Sequence, residues 1–416
     1  MRAGTNLPAV GGYNQTVILD AIRRASDGIS RVEVAERTGL SAQTISNVCR
    51  RLLDAGLIRE SGTQASGVGK PRTIMELEPG GRFAIGVHLD PTVITVVVLN
   101  LAGAVVAHRA IPTREQLPSS ETIENIVRVA REVSAEAGAP SERIMGAGIA
   151  APGPVDVRSG TVLNPPLLAG WQNVPVRDVL AETLNMPVLL EKDVTAAAVA
   201  ELWMNSDSRR GNMVFFYYGT GVGAGIIVQN EVIRGLSSNA GDIGSVIVGG
   251  GGHDESGRRW RLGDAVMPRY LVREAIGRGV VTERSATGES DAELSTADVI
   301  ELFARLGEAA TAGVGDAVEI LDAAAQDIAT ALVTIINLLD TSTVIFGGPF
   351  WGAVGDFMLA RIPDLVRMSP VLVSPHPITF AQSEIGEDVA AIGAACLVLD
   401  HAFSPHPAGL LIQRTN

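Results

Sequence analysis

FAIGVHLDPTVITVVVLNLAGAVVAHRAI, residues 83–111, is the stretch on which the fold turns. It holds three short runs crowded with Val and Ile, broken at Asp90-Pro91 and again at Ala102-Gly103. Runs of β-branched residues between turn residues predict neighbouring strands of a meander. The next segment, SSETIENIVRVAREVSAEAG (119–138), spaces its apolar residues as an amphipathic helix does, and RIMGAGIAA (143–151) returns to a strand. A second series begins near residue 212 with MVFFYYGTGVGAGIIVQNEVI. Strands, helix and strand, twice over, predict an α/β protein whose two lobes enclose a cleft.

Upstream the pattern is helical. NQTVILDAIRRA (14–25), SRVEVAERTGL (30–40) and SAQTISNVCRRLLDAGLI (41–58) read as three helices. Ser30 with Glu33 forms a capping box and Gly39 a stop, while Ser41 caps the third helix and Gly56 ends it. The short turn at Gly39-Leu40 makes the second and third a helix-turn-helix. An apolar stripe of Ile45, Val48, Leu52 and Leu53 faces the core. The other face offers Ser41, Gln43, Thr44, Ser46 and Asn47 toward base edges, with Arg50 and Arg51 toward phosphates. RESGTQASGVGKPRTIMELEPG (59–80) follows as strand, glycine-rich loop and strand, a wing whose cationic tip carries Lys70 and Arg72.

Charge divides the chain in the same place. Residues 1–82 carry 11 Arg/Lys against 8 Asp/Glu, a balance of +3, and the remainder 22 against 38, a balance of −16. Only the head suits a polyanion. Among 416 residues, 46% are hydrophobic and 4% aromatic, which predicts a large core built mainly of Ala, Val, Ile and Leu. No apolar run is long enough to span a membrane and MRAGTNLPAVGGYNQ has no signal-peptide core, so a soluble cytoplasmic protein is expected. Cys49 and Cys396 have no CxxC spacing and read as buried free thiols.

The region GIAAPGPVDVRSGTVLNPPLLAGWQNVPVRDVLAETLNMPVLLEKDVTAAAVAEL (148–202), then YGTGVGAGI, NAGDIGS and VIFGG in order, resembles the ROK family of repressors, open reading frames and sugar kinases. With the winged helix in front, the resemblance runs along nearly the whole chain. It is to the family's transcriptional regulators of carbohydrate metabolism. It implies a ribonuclease-H-like, actin-like ATPase fold of the sugar-kinase type behind a winged helix-turn-helix. The expected divisions are residues 1–80 for DNA binding, 82–211 for the first lobe and 212–400 for the second, with terminal helices returning to the first lobe. A homodimer or homotetramer on operator DNA is expected, since paired half-sites call for two-fold symmetry.

In the family's kinases an Asn-Asp pair at a helix mouth binds a sugar hydroxyl and removes its proton. Asp193 matches the aspartate, but Lys192 stands for the asparagine. A lysine there is expected to lower the Asp193 pKa and lock it in an ion pair, or to receive an anionic ligand group. Phosphoryl transfer also needs a phosphate cradle. The kinases' Asp-x-Gly-Gly-Thr loop is His88-Leu89-Asp90-Pro91-Thr92 here, where proline removes an N–H and aspartate adds a like charge. The second loop, Gly219–Gly225, is intact, and a packing role for its small residues is preferred to a phosphate role. The Gly-Glu-x-Gly-His stretch is Gly241-Asp242-Ile243-Gly244-Ser245. The cysteine-rich zinc loop is replaced by GGGGHDESGRRWRLGDAV, in which His253 alone cannot hold zinc.

The resemblance thus implies ligand contacts at Gly153, Asn164, Lys192, Asp193, Asp242, Ser245 and Asp264, with no catalytic residue, cofactor or metal. Asp193, Asp242 and Asp264 are expected to face the cleft. The reading is a sugar- or sugar-phosphate-responsive transcriptional regulator without kinase activity. Its rivals are a sugar kinase with an accessory DNA-binding head and a regulator switched by a protein partner.

Overall fold

The computed structural model describes residues 7–64, 71–113, 118–166, 168, 170–204, 211–249, 261–282 and 294–404. Its N-terminal part runs α1 (Leu7–Arg23), β1 (Ile29–Ser30), α2 (Arg31–Thr38), α3 (Ala42–Asp54), β2 (Ile58–Gln64) and β3 (Arg72–Leu77). The Ser30 hydroxyl accepts from Glu33 N and the Glu33 carboxylate accepts from Ser30 N at 2.9 Å, completing the capping box. Those bonds to Ser30 hold the Glu33 carboxyl below its ordinary pKa. Gly39 ends α2 at φ 69°, a conformation that favours glycine. The two-residue β1, which no sequence pattern marks, pairs with Ile74 and Met75 and gives the sheet order β1-β3-β2.

Ile45, Val48 and Leu52 of α3 bury against Ile18, Ile22, Val34 and Met75, each contributing about 1.5–3 kcal/mol by leaving water. Leu53, expected in the same stripe, is only half-buried. The wing strands are present, but Gly67-Val68-Gly69-Lys70 lies outside the described residues.

The first lobe contains β4 (Phe83–Leu89), β5 (Val93–Asn100), β6 (Val105–Pro112), α4 (Ser119–Glu136), β7 (Ile144–Ala151), β8 (Val155–Asp156), β9 (Thr161–Val162), α5 (Val176–Leu184), β10 (Val188–Lys192) and α6 (Asp193–Met204). β4, β5 and β6 form the expected antiparallel meander, and β7 and β10 add in parallel, giving β10-β7-β4-β5-β6. The second lobe contains β11 (Met213–Tyr218), β12 (Val222–Val228), β13 (Glu231–Val232), α7 (Leu262–Val266), α8 (Pro268–Gly277), α9 (Thr296–Thr311), α10 (Gly315–Leu339), β14 (Thr343–Gly347), α11 (Gly355–Leu359), α12 (Ile362–Arg367) and β15 (Thr379–Gln382), and the last helix, α13 (Val389–Phe403), packs on β4 and β7 of the first lobe. The sheet order of the second lobe is β13-β12-β11-β14-β15.

α6 and α13 lie between the two sheets and are buried along most of their length. Glycines set how closely these layers approach. A Cβ at Gly86 of β4 or Gly148 of β7 would run into α13 backbone at Ala391 or Ala394. One at Gly393 of α13 would meet the Ala196 carbonyl of α6, and one at Gly225 of β12 the Val194 carbonyl. The order is therefore sheet, α13, α6, sheet. The aliphatic core expected from composition is found here. The second lobe departs from it, gathering Phe216, Tyr218, Phe303, Phe346, Phe350 and Trp351 into one cluster, with Phe346 and Trp351 stacked at 4.6 Å. Cys49 and Cys396 are free and buried, and burial raises both thiol pKa values.

Candidate functional site

Lys192 ends β10 in register with Ala151 of β7, so the Pro152-Gly153-Pro154 turn hangs beside it. The lysine is only 7% exposed. Its stem lies across Gly153, where a Cβ would stand 2.9 Å from Lys192 Cε. Nζ donates to the Asn239 carbonyl at 3.5 Å, and among the described residues it joins no ion pair. The expected Lys192–Asp193 pair is therefore not formed. The strand ends at Lys192 and the helix begins at Asp193, and across that junction the lysine's charge still acts on the Asp193 carboxyl without coming within ion-pair distance.

Asp193 opens α6, and its Oδ1 accepts from Val194 N at 2.7 Å. Part of the residue's surface meets solvent, but its carboxyl is enclosed, and burial pushes its pKa up. His88 and Lys192 offset this and Asp90 reinforces it. That corrects the expected downward shift, because desolvation outweighs the neighbouring cation.

His88, on β4, brings Nε2 to 3.4 Å from the Tyr217 hydroxyl on β11, with the rings edge to face. Burial raises the Tyr217 pKa, and the Asp193 and Asp90 carboxylates add to it. Asp90 closes its own loop. Its Oδ1 accepts from Thr92 N at 2.8 Å and from the Thr92 hydroxyl, and the residue is 3% exposed. The amide that could meet a phosphate oxygen is thus already bonded to an internal carboxylate. His88, Asp90, Asp193 and Tyr217 form a polar floor between the sheets. Sequence reasoning passed over His88 and Tyr217, although a polar group inside an otherwise apolar strand is a usable signal for both.

Two further contacts join the lobes. The Asn239 side chain accepts from Val155 N and donates to Val155 O, both at 2.8 Å. Arg234, just after β13, donates to the buried Glu191 of β10 at 2.5 Å. Burial raises the Glu191 pKa and Arg234 counters it.

The remaining expected contacts do not converge equally. Asn164, Asp242 and Ser245 are exposed. The 241–245 turn comes after β13 and lies against β12, with Gly241 O accepting from Ala224 N at 2.8 Å. The Asp264 carboxylate is held by Arg261 at 2.7 and 3.0 Å. Of the three expected cleft carboxylates, only Asp193 lies in the enclosed group. Gly223 and Gly225 abut Val194 of α6, where added Cβ atoms would clash, so these two positions serve close packing. No cluster of potential metal ligands occurs among the described residues, and the segment holding His253 lies outside them.

On the head, Gln43, Asn47, Arg50 and Arg51 are exposed on one face of α3, while Thr44 and Ser46 are half-buried. Gln43 Nε2 donates to Asn47 Oδ1 at 3.2 Å. The Ser41 hydroxyl caps the helix by accepting from Thr44 N at 3.2 Å. Arg72 is half-buried at the base of the wing, opposite Gln64, and Lys70 is outside the described residues. At the end of α1, Arg23 donates to the Trp203 carbonyl and lies 4.1 Å over the Trp203 ring, near the far end of α6. One helix thus runs from Asp193 to the head.

Residues 84–401 match the sequence model of the ROK family, and residues 12–65 that of the MarR family. The chain is 22% identical over 377 residues to the xylose repressor of Caldicellulosiruptor bescii, covering 90% of this chain and 93% of that one. It is 27% identical over 324 residues to the glucokinase of Halalkalibacterium halodurans, covering 76% of this chain and 95% of that one. The crystal structure of a ROK family transcriptional regulator homologous to Escherichia coli MLC superposes with a TM-score of 0.75 at 21% identity, covering 97% of this chain and 98% of the other.

Proposed function

The chain belongs to the ROK family, and from that premise we propose that it is a DNA-binding repressor of carbohydrate metabolism, controlled by a sugar or sugar phosphate between its lobes and without kinase activity. DNA binding is assigned to residues 1–80 and effector binding to the lobes 82–211 and 212–400. The repressor relative spans the head as well as the lobes, whereas the glucokinase match covers 76% of this chain.

The observation that carries the non-catalytic reading is the Asp90–Thr92 closure. A sugar hydroxyl is a poor nucleophile, so phosphoryl transfer to it from ATP needs both a base and a cradle with its metal ion. Asp193 supplies an enclosed carboxyl suited to a hydroxyl. On the other side, the buried Asp90 takes the loop amide and would repel phosphate oxygens. Binding then proceeds without turnover.

Gln43, Thr44, Ser46 and Asn47 are assigned to base edges, and Arg50, Arg51, Lys70 and Arg72 to phosphates. Ser41 contributes by capping the recognition helix. Effector closure would move α6 and, through Trp203 and Arg23, the head; a ligand that favours one arrangement shifts DNA affinity by the difference. A homodimer or homotetramer is proposed for paired half-sites. Among the described residues, no helix is long and apolar enough to cross a membrane.

The test combines two measurements on the full chain. Binding to its own promoter DNA is followed by fluorescence anisotropy across a panel of sugars and sugar phosphates, and ATP-dependent phosphorylation of the same panel is assayed. A sugar that changes DNA affinity without being phosphorylated is expected. The intact Gly219–Gly225 loop favours one second reading, a sugar kinase with an accessory head. Phosphorylation abolished by Asp193→Asn would establish that reading instead.

A further inference from the structure

Lys192 is a buried cation in the cleft that, among the described residues, has no carboxylate within ion-pair distance. Lys192 is more than nine-tenths buried, and its ammonium has three donors. One meets the Asn239 carbonyl at the long distance of 3.5 Å, and no carboxylate among the described residues lies within ion-pair reach. Its two neighbours are otherwise engaged. Glu191 is held by Arg234 at 2.5 Å, and Asp193 accepts from Val194 N at 2.7 Å, with His88 and Asp90 around it. The course of the lysine is fixed as well, because Gly153 leaves the channel its stem occupies.

A withdrawn ammonium without an anion is costly, and the cost is repaid when a ligand brings the opposite charge. Neutral hydroxyls could satisfy its N–H groups but not its charge. The asparagine expected at this position from the kinases would carry no such demand. Resting on the reading of the cleft as a sugar site, we infer that the effector is an anionic sugar. Its carboxylate or phosphate pairs with Lys192 Nζ while a hydroxyl of the same molecule meets Asp193. Lysine acts as a point charge and accepts either anion.

Isothermal titration calorimetry on the full chain tests this with matched sets: glucose, glucuronate and glucose 6-phosphate; xylose and xylonate; galactose, galacturonate and galactose 1-phosphate. At least one anionic member is expected to bind roughly 10- to 150-fold more tightly than its neutral partner. The acid and phosphate arms separate the two sources of charge. Lys192→Gln is expected to level that difference and Lys192→Arg to keep much of it, with thermal melts confirming that both variants fold. A neutral sugar binding as tightly as its acid and phosphate, or a preference that survives Lys192→Gln, would overturn the inference while leaving the sugar site standing. Binding of no member of any set would overturn the sugar-site reading and this inference with it.

Discussion

Replacing Arg23 by Ala cuts the contact between α1 and the end of α6. The guanidinium lies 4.1 Å over the Trp203 ring and donates to the Trp203 carbonyl, with the side chain 11% exposed. A cation–π contact of this kind contributes about 0.5–1 kcal/mol and a charge-assisted hydrogen bond about 1.5–3 kcal/mol. The truncation strands no charge, since Asp20 keeps Arg24 at 2.8 Å, and takes from the Trp203 carbonyl, in the last turn of α6, the Arg23 donor. Docking of α1 on the body should weaken by about 2–4 kcal/mol. The assay is native-state hydrogen exchange, which reads local opening free energy directly. Backbone amides of α1 should exchange roughly 30- to 900-fold faster, with β4 and β7 amides unchanged. Because allosteric coupling energies are typically about 1–3 kcal/mol, the same variant should lose most of its effector-dependent change in DNA affinity. Unchanged α1 exchange, or an undiminished effector response in the folded variant, would refute the view that this contact joins site to head.

Asp193→Asn should weaken effector binding roughly 10- to 150-fold while leaving DNA binding intact, measured by calorimetry and anisotropy. Burial raises the folded-state pKa of Asp193, so its contribution to stability is present below the unfolded carboxyl pKa and lost as pH rises through the raised value. Ligand-free Asp193→Asn should accordingly melt no lower than the parent at neutral pH, and a lower melting temperature there would contradict the burial. Arg234→Ala strands the buried Glu191 and should destabilise by about 3 kcal/mol in chemical denaturation, with Glu191→Gln in the same chain recovering much of the loss. Arg50→Ala or Arg51→Ala should weaken binding to all DNA sequences and reduce the salt slope by about one each, whereas Gln43→Ala or Asn47→Ala should change sequence preference. Footprints that respond in the opposite way would remove α3 from the groove.

Much of the head was legible because its signals are local. Ser30 and Glu33 are three residues apart, Gly39 follows directly, and the α3 stripe repeats at helical spacing. The antiparallel meander β4-β5-β6 was legible for the same reason, whereas the parallel place of β7 beside β4 was not. Asp90-Pro91 showed in the sequence a loop unsuited to phosphate, through a missing N–H and an added negative charge, but not the bond from Thr92 N to the Asp90 carboxylate that closes it. What escaped was set by distance along the chain. Arg23 and Trp203 are 180 residues apart, and Tyr217 and His88 are 129 apart. Of the two expectations for Lys192, the ion pair with Asp193 fails, since neighbours in sequence need not be partners in space. The glycines of Gly219–Gly225 could be divided between phosphate and packing roles only once α6 lay against Gly223 and Gly225.

The alanine- and glycine-faced contact between α6 and α13 has a mechanical consequence. Interlocked long side chains resist displacement because each must leave its rotamer and its hole before the next arrangement is reached. Two nearly smooth cylinders have little to unlock. At Gly393 and Ala196 the backbones touch with scarcely a side chain between them, so a small translation of one helix past the other disturbs few torsions. The same smoothness leaves no clearance: a single added methyl at Gly393 between the helices, or at Gly225 or Gly148 where each helix meets its sheet, would act as a wedge. Between its sheets this molecule therefore has a plain bearing, easily slid and easily jammed, and substitutions that fix the protein in one DNA-binding state should concentrate on these glycines.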